Sequence, residues 1–236
     1  MNAQAAVKID ALQSGYGEAM VLKGIDLTLA RGEAVALLGK NGMGKSTLLK
    51  TLMGYIRPKS GDIALFGERT AGMPPNRIAR RDVAYIPQEQ ALFQDLSVEE
   101  NLKLALERDR DFKPSFARIE DLFPFLKERL RQKAGTLSGG EQKMLLVARA
   151  LIRKPKLILI DEITEGMQPS VIERLTGILQ RERDSAGTSL LLVEQHVRFA
   201  FAVANRYAVL ELGEIPAAGS TADPSAQATV ARYLSL

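Results

Sequence analysis

Cysteine is absent from the 236-residue sequence, and histidine occurs only once. Without cysteine, the chain can form neither disulfide bonds nor thiolate metal sites. No apolar run approaches the ~20 residues that a membrane-spanning helix requires, so we expect that the chain does not cross a bilayer by itself. The opening segment MNAQAAVKIDALQ lacks the basic segment, apolar stretch and cleavage site of a secretory signal. These absences favour a cytoplasmic protein.

A large excess of charge of one sign is also lacking. The 32 Lys and Arg residues against 28 Asp and Glu residues leave a net charge of +4. This balance permits binding to nucleic acid or to an anionic membrane surface but indicates neither. The basic clusters are short, and they comprise Arg77, Arg80 and Arg81 in one case and Arg129, Arg131 and Lys133 in the other. Solvated helix faces are the simpler interpretation, and we predict no nucleic-acid partner.

What the sequence does contain is an ordinary globular composition, with 46% hydrophobic and 25% charged residues. Its hydrophobic pattern predicts strands at Val7–Leu12, Ile25–Leu29, Ala34–Leu38, Ile63–Phe66, Val83–Ile86, Leu157–Ile160, Leu190–Val193 and Arg206–Leu210. Predicted helices cover Lys45–Met53, a segment opened by Ser97, Ser115–Leu130, a segment from Ser138 to Ile152, Ser170–Arg183 and Pro224–Leu234. Strands that alternate with helices indicate an α/β fold with a mainly parallel sheet flanked by helices. The helical stretch 90–152 is predicted to be a subdomain inserted between the core segments 1–89 and 153–236.

A glycine-rich segment follows the apolar strand Ala34–Leu38. Its sequence, from Gly39 to Thr47, fits the phosphate-binding pattern G-x-x-x-x-G-K-[ST]. In such a loop the glycines let backbone amides point at the phosphates, and the next helix presents its positive N-terminal end. Lys45 is expected to neutralise the β- and γ-phosphates, and Ser46 is expected to bind Mg²⁺.

Two carboxylates follow another apolar strand. Asp161 and Glu162 come directly after Leu157–Ile160. A buried strand ending in acids places them at the carboxyl edge of the sheet, where ligands bind in open α/β sheets. We expect Asp161 to hold the metal and Glu162 to orient or deprotonate the attacking water. Alone, the pattern could be a core strand with an acidic surface end, but the phosphate-binding loop favours the catalytic interpretation.

The segment Leu137-Ser138-Gly139-Gly140-Glu141 decides the family resemblance. Ser138 with Glu141 three positions later predicts a capping box. A capping box does not need two glycines in the first helical turn, where they lower helix stability. Bare amides at a helix N-terminus do suit a phosphate, so we infer both roles. Together with the preceding motifs, this segment resembles the signature of the ATP-binding cassette ATPases, the power subunits of ABC transporters, and the resemblance covers essentially the whole chain.

The resemblance implies a P-loop NTPase fold with an N-terminal antiparallel β subdomain and an inserted helical subdomain. It also assigns roles to three more residues: stacking on adenine to Tyr16, contact with metal and water to Gln88, and contact with the γ-phosphate to His196. Singly, these residues are more often a core aromatic, a polar loop residue and a surface histidine, but the five motifs in the family order favour the functional roles. Implied ATP-binding residues are Tyr16, Gly39, Asn41, Gly42, Gly44, Lys45, Ser46, Thr47, Ser138, Gly139 and Gly140. Implied Mg²⁺ ligands are Ser46, Gln88 and Asp161, and implied catalytic residues are Lys45, Gln88, Glu162 and His196.

Partners follow from the same resemblance. Two ATPase subunits of this family face each other and sandwich two ATP molecules, each between the P-loop of one subunit and the signature of the other. The transport path then belongs to integral membrane permease subunits, which implies that the chain lies on the inner face of the membrane. Because it directly follows Gln88, the segment Gln90–Leu106 is the predicted docking surface for them. A solute-binding protein outside the membrane is an indirect partner.

Two positions depart from the family pattern, and one of them points to a branch. Ile163 stands where the family usually has proline, and Gln168 stands where it commonly has aspartate. We expect a less rigid turn at Ile163 without loss of chemistry, and Gln168 puts communication between the two sites in doubt. The stretch 164–170 resembles the branch that serves branched-chain amino-acid and urea or amide uptake, as do the stretches 50–54 and 193–196. In that branch two different ATPase subunits usually pair, so a heterodimer is favoured.

Three functions remain open from the sequence. A transporter ATPase for import, with branched-chain amino acids as the first cargo and urea or amides as the alternative, fits the motifs best. An ABC-type ATPase acting on nucleic acid is less compatible, because the chain has one cassette and no sustained heptads. A soluble regulatory or sulfur-cluster assembly ATPase of the same fold is the third.

Overall fold

The structure, a computed structural model, describes residues 5–88 and 92–234. Its strands in chain order are β1 Ala5–Tyr16, β2 Ala19–Ala30, β3 Ala34–Leu38, β4 Ser60–Leu65, β5 Glu68–Arg69, β6 Val83–Ile86, β7 Leu157–Asp161, β8 Ser189–Glu194, β9 Arg206–Glu211 and β10 Glu214–Ser220. Its helices are α1 Lys45–Leu52, α2 Pro75–Ala79, α3 Val98–Lys103, α4 Phe112–Ala117, α5 Pro124–Glu128, α6 Gly139–Leu151, α7 Pro169–Ala186, α8 Val197–Val203 and α9 Ala226–Leu234. Two short 3-10 helices lie at Asp109–Asp111 and Ala134–Thr136.

The larger sheet has six strands in the order β10-β9-β3-β8-β7-β6. The pairs within β9-β3-β8-β7-β6 are parallel, and β10 adds an antiparallel edge. In β3, Ala34, Ala36 and Leu38 pack into one core while Val35 and Leu37 pack into the other. Successive strand residues point to opposite faces, so the continuous apolar run of β3 indicates a sheet that is covered on both sides. The predicted α/β fold with a mainly parallel sheet is confirmed.

The smaller sheet is antiparallel and has the order β2-β1-β4-β5. Its buried face, which includes Ile9, Leu12 and Ile25, shares a core with α1 and with one face of the larger sheet. Strands β1 and β2 alternate buried and exposed residues over much of their length because their other face meets solvent. This sheet is the N-terminal β subdomain that the family resemblance implies.

The topology brings three loops to one place. Strand β3 lies beside β8, with Leu38 opposite Glu194, and β8 lies beside β7, with Val193 opposite Asp161. Since parallel strands end at the same edge, the segments after Leu38, Asp161 and Glu194 emerge side by side. That edge is where ligands bind in open α/β sheets.

The helical middle differs from its prediction in one helix. The single helix predicted over Ser115–Leu130 is wrong, because the structure has the short helices α4 and α5 with a turn between them. Pro124 occupies the first position of α5, and Phe123 before it has φ −130° and ψ 56°. Proline lacks the amide that a helix interior requires and disfavours helical backbone in the preceding residue, so the helix cannot run through.

Other boundaries follow the prediction more closely. Strands β3 and β6 have the predicted limits, and α7 and α9 lie within about three residues of theirs. The pattern missed the short elements β5 and α2 as well as α8 and β10, and β10 is a hairpin partner of β9. Gln90, the predicted start of the helical subdomain, lies outside the described residues, and the division at 89/90 and 152/153 stays a prediction. Among the helices that the structure describes, none is both long enough and apolar enough to cross a membrane.

Candidate functional site

The loop after β3 forms one wall of a cleft of about 440 Å³. A Cβ on Gly39 would lie 2.4 Å from the carbonyl oxygen of Leu210, and Gly44 has φ +105°. Only glycine meets both conditions without strain. The cleft is lined by Asn41, Gly42, Gly44, Lys45, Ser46 and Thr47 of this loop and helix, and by Val21, Gln88 and Glu162. The structure therefore brings both predicted chemical motifs together.

Lys45 is held in place by buried oxygens. Its Nζ donates to the carbonyl oxygens of Gly39 at 2.7 Å and Lys40 at 2.8 Å. It also forms an ion pair with Glu162 Oε1 at 3.0 Å, and both side chains are almost fully buried. A buried ammonium needs a compensating anion, which here is the Glu162 carboxylate.

Asp161 lies at the end of β7 next to a hydroxyl. Ser46 Oγ donates to its Oδ1 at 3.0 Å, and Tyr85 OH donates to its Oδ2 at 3.2 Å. Burial raises the pKa of Asp161, while the hydrogen bonds from Ser46 and Tyr85 oppose that rise. Hydroxyl and carboxylate oxygens side by side are ligands that Mg²⁺ prefers, with phosphate and water completing its shell. The residues present therefore fit the predicted metal, although the third predicted ligand, Gln88, contacts carboxylates instead.

Glu162 is surrounded by donors. Its Oε2 accepts from Gln88 Nε2 at 3.1 Å and from Gln195 Nε2 at 3.0 Å. Its backbone has φ +43°, a conformation that non-glycine residues adopt at a cost of about 1–3 kcal/mol. The position of this carboxylate is thus fixed by the backbone of the turn and by three side chains, one of them Lys45.

Gln195 is a site residue that the sequence reasoning missed. Besides Glu162, its Nε2 contacts Asn41 Oδ1 of the phosphate-binding loop at 2.6 Å. No motif marks Gln195, but its place directly after β8 corresponds to that of Glu162 directly after β7. Residues that directly follow neighbouring parallel strands lie close together at one edge of the sheet, and this rule could have identified Gln195 as a site residue.

The predicted signature forms the start of α6. Ser138 Oγ accepts from the Glu141 amide, and Glu141 Oε2 accepts from the Ser138 amide at 2.9 Å, so the predicted capping box is present. A Cβ on Gly139 would meet no atom within 4 Å, and one on Gly140 would make only ordinary contact with Val171. The packing of this chain therefore does not require either glycine.

Comparison with known proteins agrees with this geometry. A sequence model of the family described as "ABC transporter" matches residues 22–165, more than half of the chain. The chain belongs to the ABC transporter ATPase family.

Relatives of this ABC ATPase carry several transport functions. It is 41% identical over 212 residues to the high-affinity branched-chain amino acid transport ATP-binding protein BraG of Pseudomonas aeruginosa, covering 89% of this chain and 90% of the relative. It is 36% identical over 206 residues to the probable branched-chain amino acid transport ATP-binding protein LivF of Archaeoglobus fulgidus, covering 86% and 87%. It is also 34% identical over 213 residues to the lipopolysaccharide export protein LptB of Haemophilus influenzae, covering 89% and 88%. The cargo therefore does not follow from family membership.

Solved structures share the fold. An ATP-binding subunit of an ABC transporter superimposes with a TM-score of 0.82 at 29% identity, covering 95% of this chain and 94% of the other. A nucleotide-free ATP-binding cassette superimposes with a TM-score of 0.84 at 21% identity, covering 92% and 91%. Together with the family match and the curated relatives, this shows that the chain is an ATPase that binds ATP, the ATP-binding subunit of an ABC transporter.

Two residues implied by the family resemblance have distinct surroundings in this ABC ATPase. Tyr16 is 53% exposed at the end of β1, which excludes core packing and leaves its ring accessible. His196 begins α8, where its Nδ1 accepts from the Phe199 amide at 3.2 Å. The structure thus gives His196 a capping role, and Gln195 is the residue of this turn that contacts Glu162. The role of His196 at the γ-phosphate and the stacking by Tyr16 stay predictions.

The loop from Glu162 to Gln168 connects the site to α7. Buried Glu194 accepts from the Thr164 amide at 3.3 Å and from Thr164 Oγ1 at 2.9 Å. Burial raises the pKa of Glu194 to about 7, against the effect of these hydrogen bonds. Ile163, where proline is usual, is buried in the core, and Gln168 is exposed at the N-terminus of α7.

Proposed function

We propose that this ABC ATPase powers the import of branched-chain amino acids from the inner face of the cell membrane. The observation that carries the proposal is the 41% identity to BraG over nearly the full length of both chains. The urea and amide alternative gains no support from the relatives and is retained only as a control. The proposal includes a solute-binding protein as an indirect partner.

The cleft supports ATP hydrolysis by the following division of roles. Backbone amides after Gly39 and the Lys45 ammonium bind the phosphates, and Thr47 lines the same loop. Ser46 and Asp161 would hold Mg²⁺, which when bound neutralises phosphate charge. Glu162 accepts a proton from the attacking water at its carboxylate.

Lys45, Gln88 and Gln195 contact Glu162 in this structure, and each is a hydrogen-bond donor. We infer that a γ-phosphate takes over these donors because it carries more negative charge than one carboxylate. Glu162 is then released toward the water. Gln195 and His196 are the two candidates in this turn for contact with the γ-phosphate. Gln195 is the better placed, because its side chain already contacts the phosphate-binding loop whereas that of His196 caps α8.

The signature supports a second ATPase subunit as a partner, and we favour a heterodimer. Ser138 and Gly139 are exposed at the N-terminus of α6, outside the cleft of their own chain. Amides at a helix N-terminus bind phosphate, so these residues can complete the site of a facing subunit. Closure of such a dimer by ATP, and its release after hydrolysis, can drive a partner's conformational change because the two nucleotide states differ in dimer affinity.

A groove of about 340 Å³ between β6, α6 and the residues that follow α3 supports the docking of the permease. Phe93 is 58% exposed and Leu104 54% exposed on its rim. Arg149 also lines it. Burial lowers the Arg149 pKa, and within residues 5–88 and 92–234 no nearby carboxylate opposes that effect. A cytoplasmic helix of the permease with apolar residues and one carboxylate would complement this groove. Gln90, the start of the predicted docking segment, lies outside the described residues.

The catalytic part of the proposal is tested on the complex purified with its permeases in lipid vesicles. Lys45→Ala should weaken ATP binding and abolish hydrolysis, because the phosphates lose their main cation. Glu162→Gln should bind ATP with little change and lose hydrolysis, because an amide cannot accept the proton. Normal turnover in Glu162→Gln would remove this residue as the base.

The docking groove is tested by charge reversal. Arg149→Glu should reduce co-purification of the permease while ATP binding by the isolated chain stays unchanged. Arg110→Glu reverses the same charge at an exposed position outside the groove and should leave co-purification intact. Equal recovery of the permease with both variants would place the docking surface elsewhere.

A further inference from the structure

Lys143 joins the signature helix to the loop that carries the catalytic carboxylate. It lies on α6 five positions after Ser138 in the sequence. Its Nζ donates to the carbonyl oxygen of Ile163 at 2.9 Å and also to that of Glu165. These are the first and third residues after Glu162. The Lys143 ammonium therefore connects both ends of the short segment 163–165 to the signature helix α6.

The surroundings of Lys143 suit a fixed cation rather than a solvated one. Burial lowers its pKa, while the Glu165 and Glu194 carboxylates favour its charged form. Glu165 is in turn tied to the site, because its Oε2 accepts from Gln88 Nε2 at 3.1 Å. The ammonium thus has two carbonyl acceptors and two nearby negative charges, which offset its desolvation.

The loop depends on such contacts because its sequence does not stiffen it. Ile163 leaves φ free where a proline ring would fix it, and Gly166 has φ +69°. On the opposite side, Glu194 holds the Thr164 amide and hydroxyl. Lys143 on α6 and Glu194 on β8 therefore form hydrogen bonds with alternate residues of the loop. Of these two contacts, only that of Lys143 connects the loop to the signature helix.

We propose that Lys143 is a positioning residue that couples the signature at the start of α6 to the orientation of Glu162 in the same chain. The inference rests on the proposed function, since it takes the signature to contact the partner subunit's nucleotide. Between Ser138 and Lys143 the helix rises about 7.5 Å, which is short enough to move as a rigid unit. Engagement of the signature then shifts the two carbonyls, and with them the turn at Glu162.

The test uses the reconstituted complex with Lys143→Met, which keeps a chain of similar length but has no donor. We expect kcat to fall about 10- to 100-fold, because small displacements of a catalytic group cost that much. KM for ATP and nucleotide affinity should change by less than about twofold, since the cleft keeps its own ligands. Lys143→Arg, which retains N–H donors for the two carbonyls, should recover most of the lost rate.

Two comparisons separate positioning from mere structural support. Lys156→Met removes another lysine ion pair, the one with Asp82 at 2.7 Å, at the opposite edge of the sheet, and should leave kcat unchanged. In the double variant Ser138→Ala/Lys143→Met, the loss of kcat should be no greater than that of the more severe single variant, because both act on one coupling. Additive losses would overturn the proposal.

The remaining outcomes are also decisive. A lower melting temperature with unchanged kcat in Lys143→Met would show a structural role only and overturn the proposal. If Lys143→Met does not fold, the backup variant is Lys143→Gln, whose uncharged amide lies one bond closer to the backbone than the ammonium does. It should show the same selective fall in kcat because it lacks both the charge and the reach of lysine, and a wild-type kcat there would overturn the proposal. Absence of hydrolysis in the wild-type complex would instead overturn the proposed function on which the inference rests.

Discussion

At the residue scale, the Glu162 carboxylate accepts hydrogen bonds or an ion pair from three donors that belong to different parts of the fold. Lys45 is the first residue of α1, Gln88 follows β6, and Gln195 follows β8. Lys45 and Glu162 were predictable because each stands in a motif whose chemistry needs that residue type. Gln195 was not, since the role of a glutamine depends on where its side chain points, and no spacing rule states that.

A substitution at Gln195 tests which residue of the turn acts at the phosphate. An amide does not titrate, so Gln195→His should add a step near pH 6.5 to the pH profile of kcat that the wild type lacks, because histidine ionises there. Steady-state hydrolysis measured across that range gives the result. Gln195→Ala should lower kcat at every pH.

His196→Asn is the matched control for that experiment. Asparagine can still cap α8, so folding is preserved. Near-wild-type turnover would assign the phosphate contact to Gln195, whereas loss of turnover would bear out the predicted role of His196. If His196→Asn abolishes hydrolysis while Gln195→Ala retains it, the histidine is the acting residue after all.

At the scale of elements, the parallel strands were predictable and the short helices were not. Continuous apolar runs such as Ala34–Leu38 and Leu157–Ile160 identify strands buried on both faces, whatever surrounds them. The turn between α4 and α5 instead depends on Pro124 starting a new helix, and on tertiary packing that periodicity does not encode. The prediction missed β10 because this strand has no buried residue and is held by its pairing with β9 rather than by a hydrophobic pattern of its own.

The signature helix offers a substitution that should stabilise the fold and stop the reaction. Gly139→Ala places a Cβ where nothing lies within 4 Å, so helix propensity should keep or raise the free energy of unfolding, by up to about 0.5–1 kcal/mol. Turnover should fall because the methyl group obstructs a phosphate from the facing subunit. Denaturant unfolding and steady-state hydrolysis measure the two effects.

Gly177→Ala in α7 is the control for Gly139→Ala, since a Cβ there also meets nothing within 4 Å. It should raise the free energy of unfolding by about 1 kcal/mol and leave turnover unchanged. Wild-type turnover in Gly139→Ala would contradict the role assigned to the signature.

The junction of β8 with the catalytic loop predicts a pH dependence of stability. The pKa of Glu194 is about 7 in the folded protein against 4.5 as its ordinary value. The folded state therefore holds this proton more tightly, and the resulting stability is complete below about pH 4.5 and is lost as the pH rises through about 7. Glu162, Thr164 and Lys143 are the groups that face this carboxyl.

Glu194→Gln should remove that contribution, because an amide has no proton to lose. From about pH 5 to about pH 8, the variant should lose less free energy of unfolding than the wild type, by on the order of 2–3 kcal/mol. Denaturant unfolding at several pH values measures the difference. Parallel curves for the two proteins would show that Glu194 ionises at an ordinary pKa.

At the scale of the whole molecule, two cores are joined by the six-stranded sheet. One core lies beneath the antiparallel sheet and α1, and the other includes the helical section and the helices after β7. The cleft and the signature lie on different parts of this framework, which fits the proposal that each subunit contributes to two sites. Fold class and family were predictable because they depend on motifs and their order. Cargo was not, since in the proposed transporter the residues that select it belong to other subunits.

The measurement that tests the central claim most directly is uptake of labelled leucine by cells that lack this protein. Uptake should be lost and then restored by the wild type but not by Glu162→Gln, while labelled urea and labelled sulfate enter at unchanged rates. Leucine uptake that persists without the protein, or that Glu162→Gln restores in full, would contradict the proposal that ATP hydrolysis by this chain drives branched-chain amino-acid import.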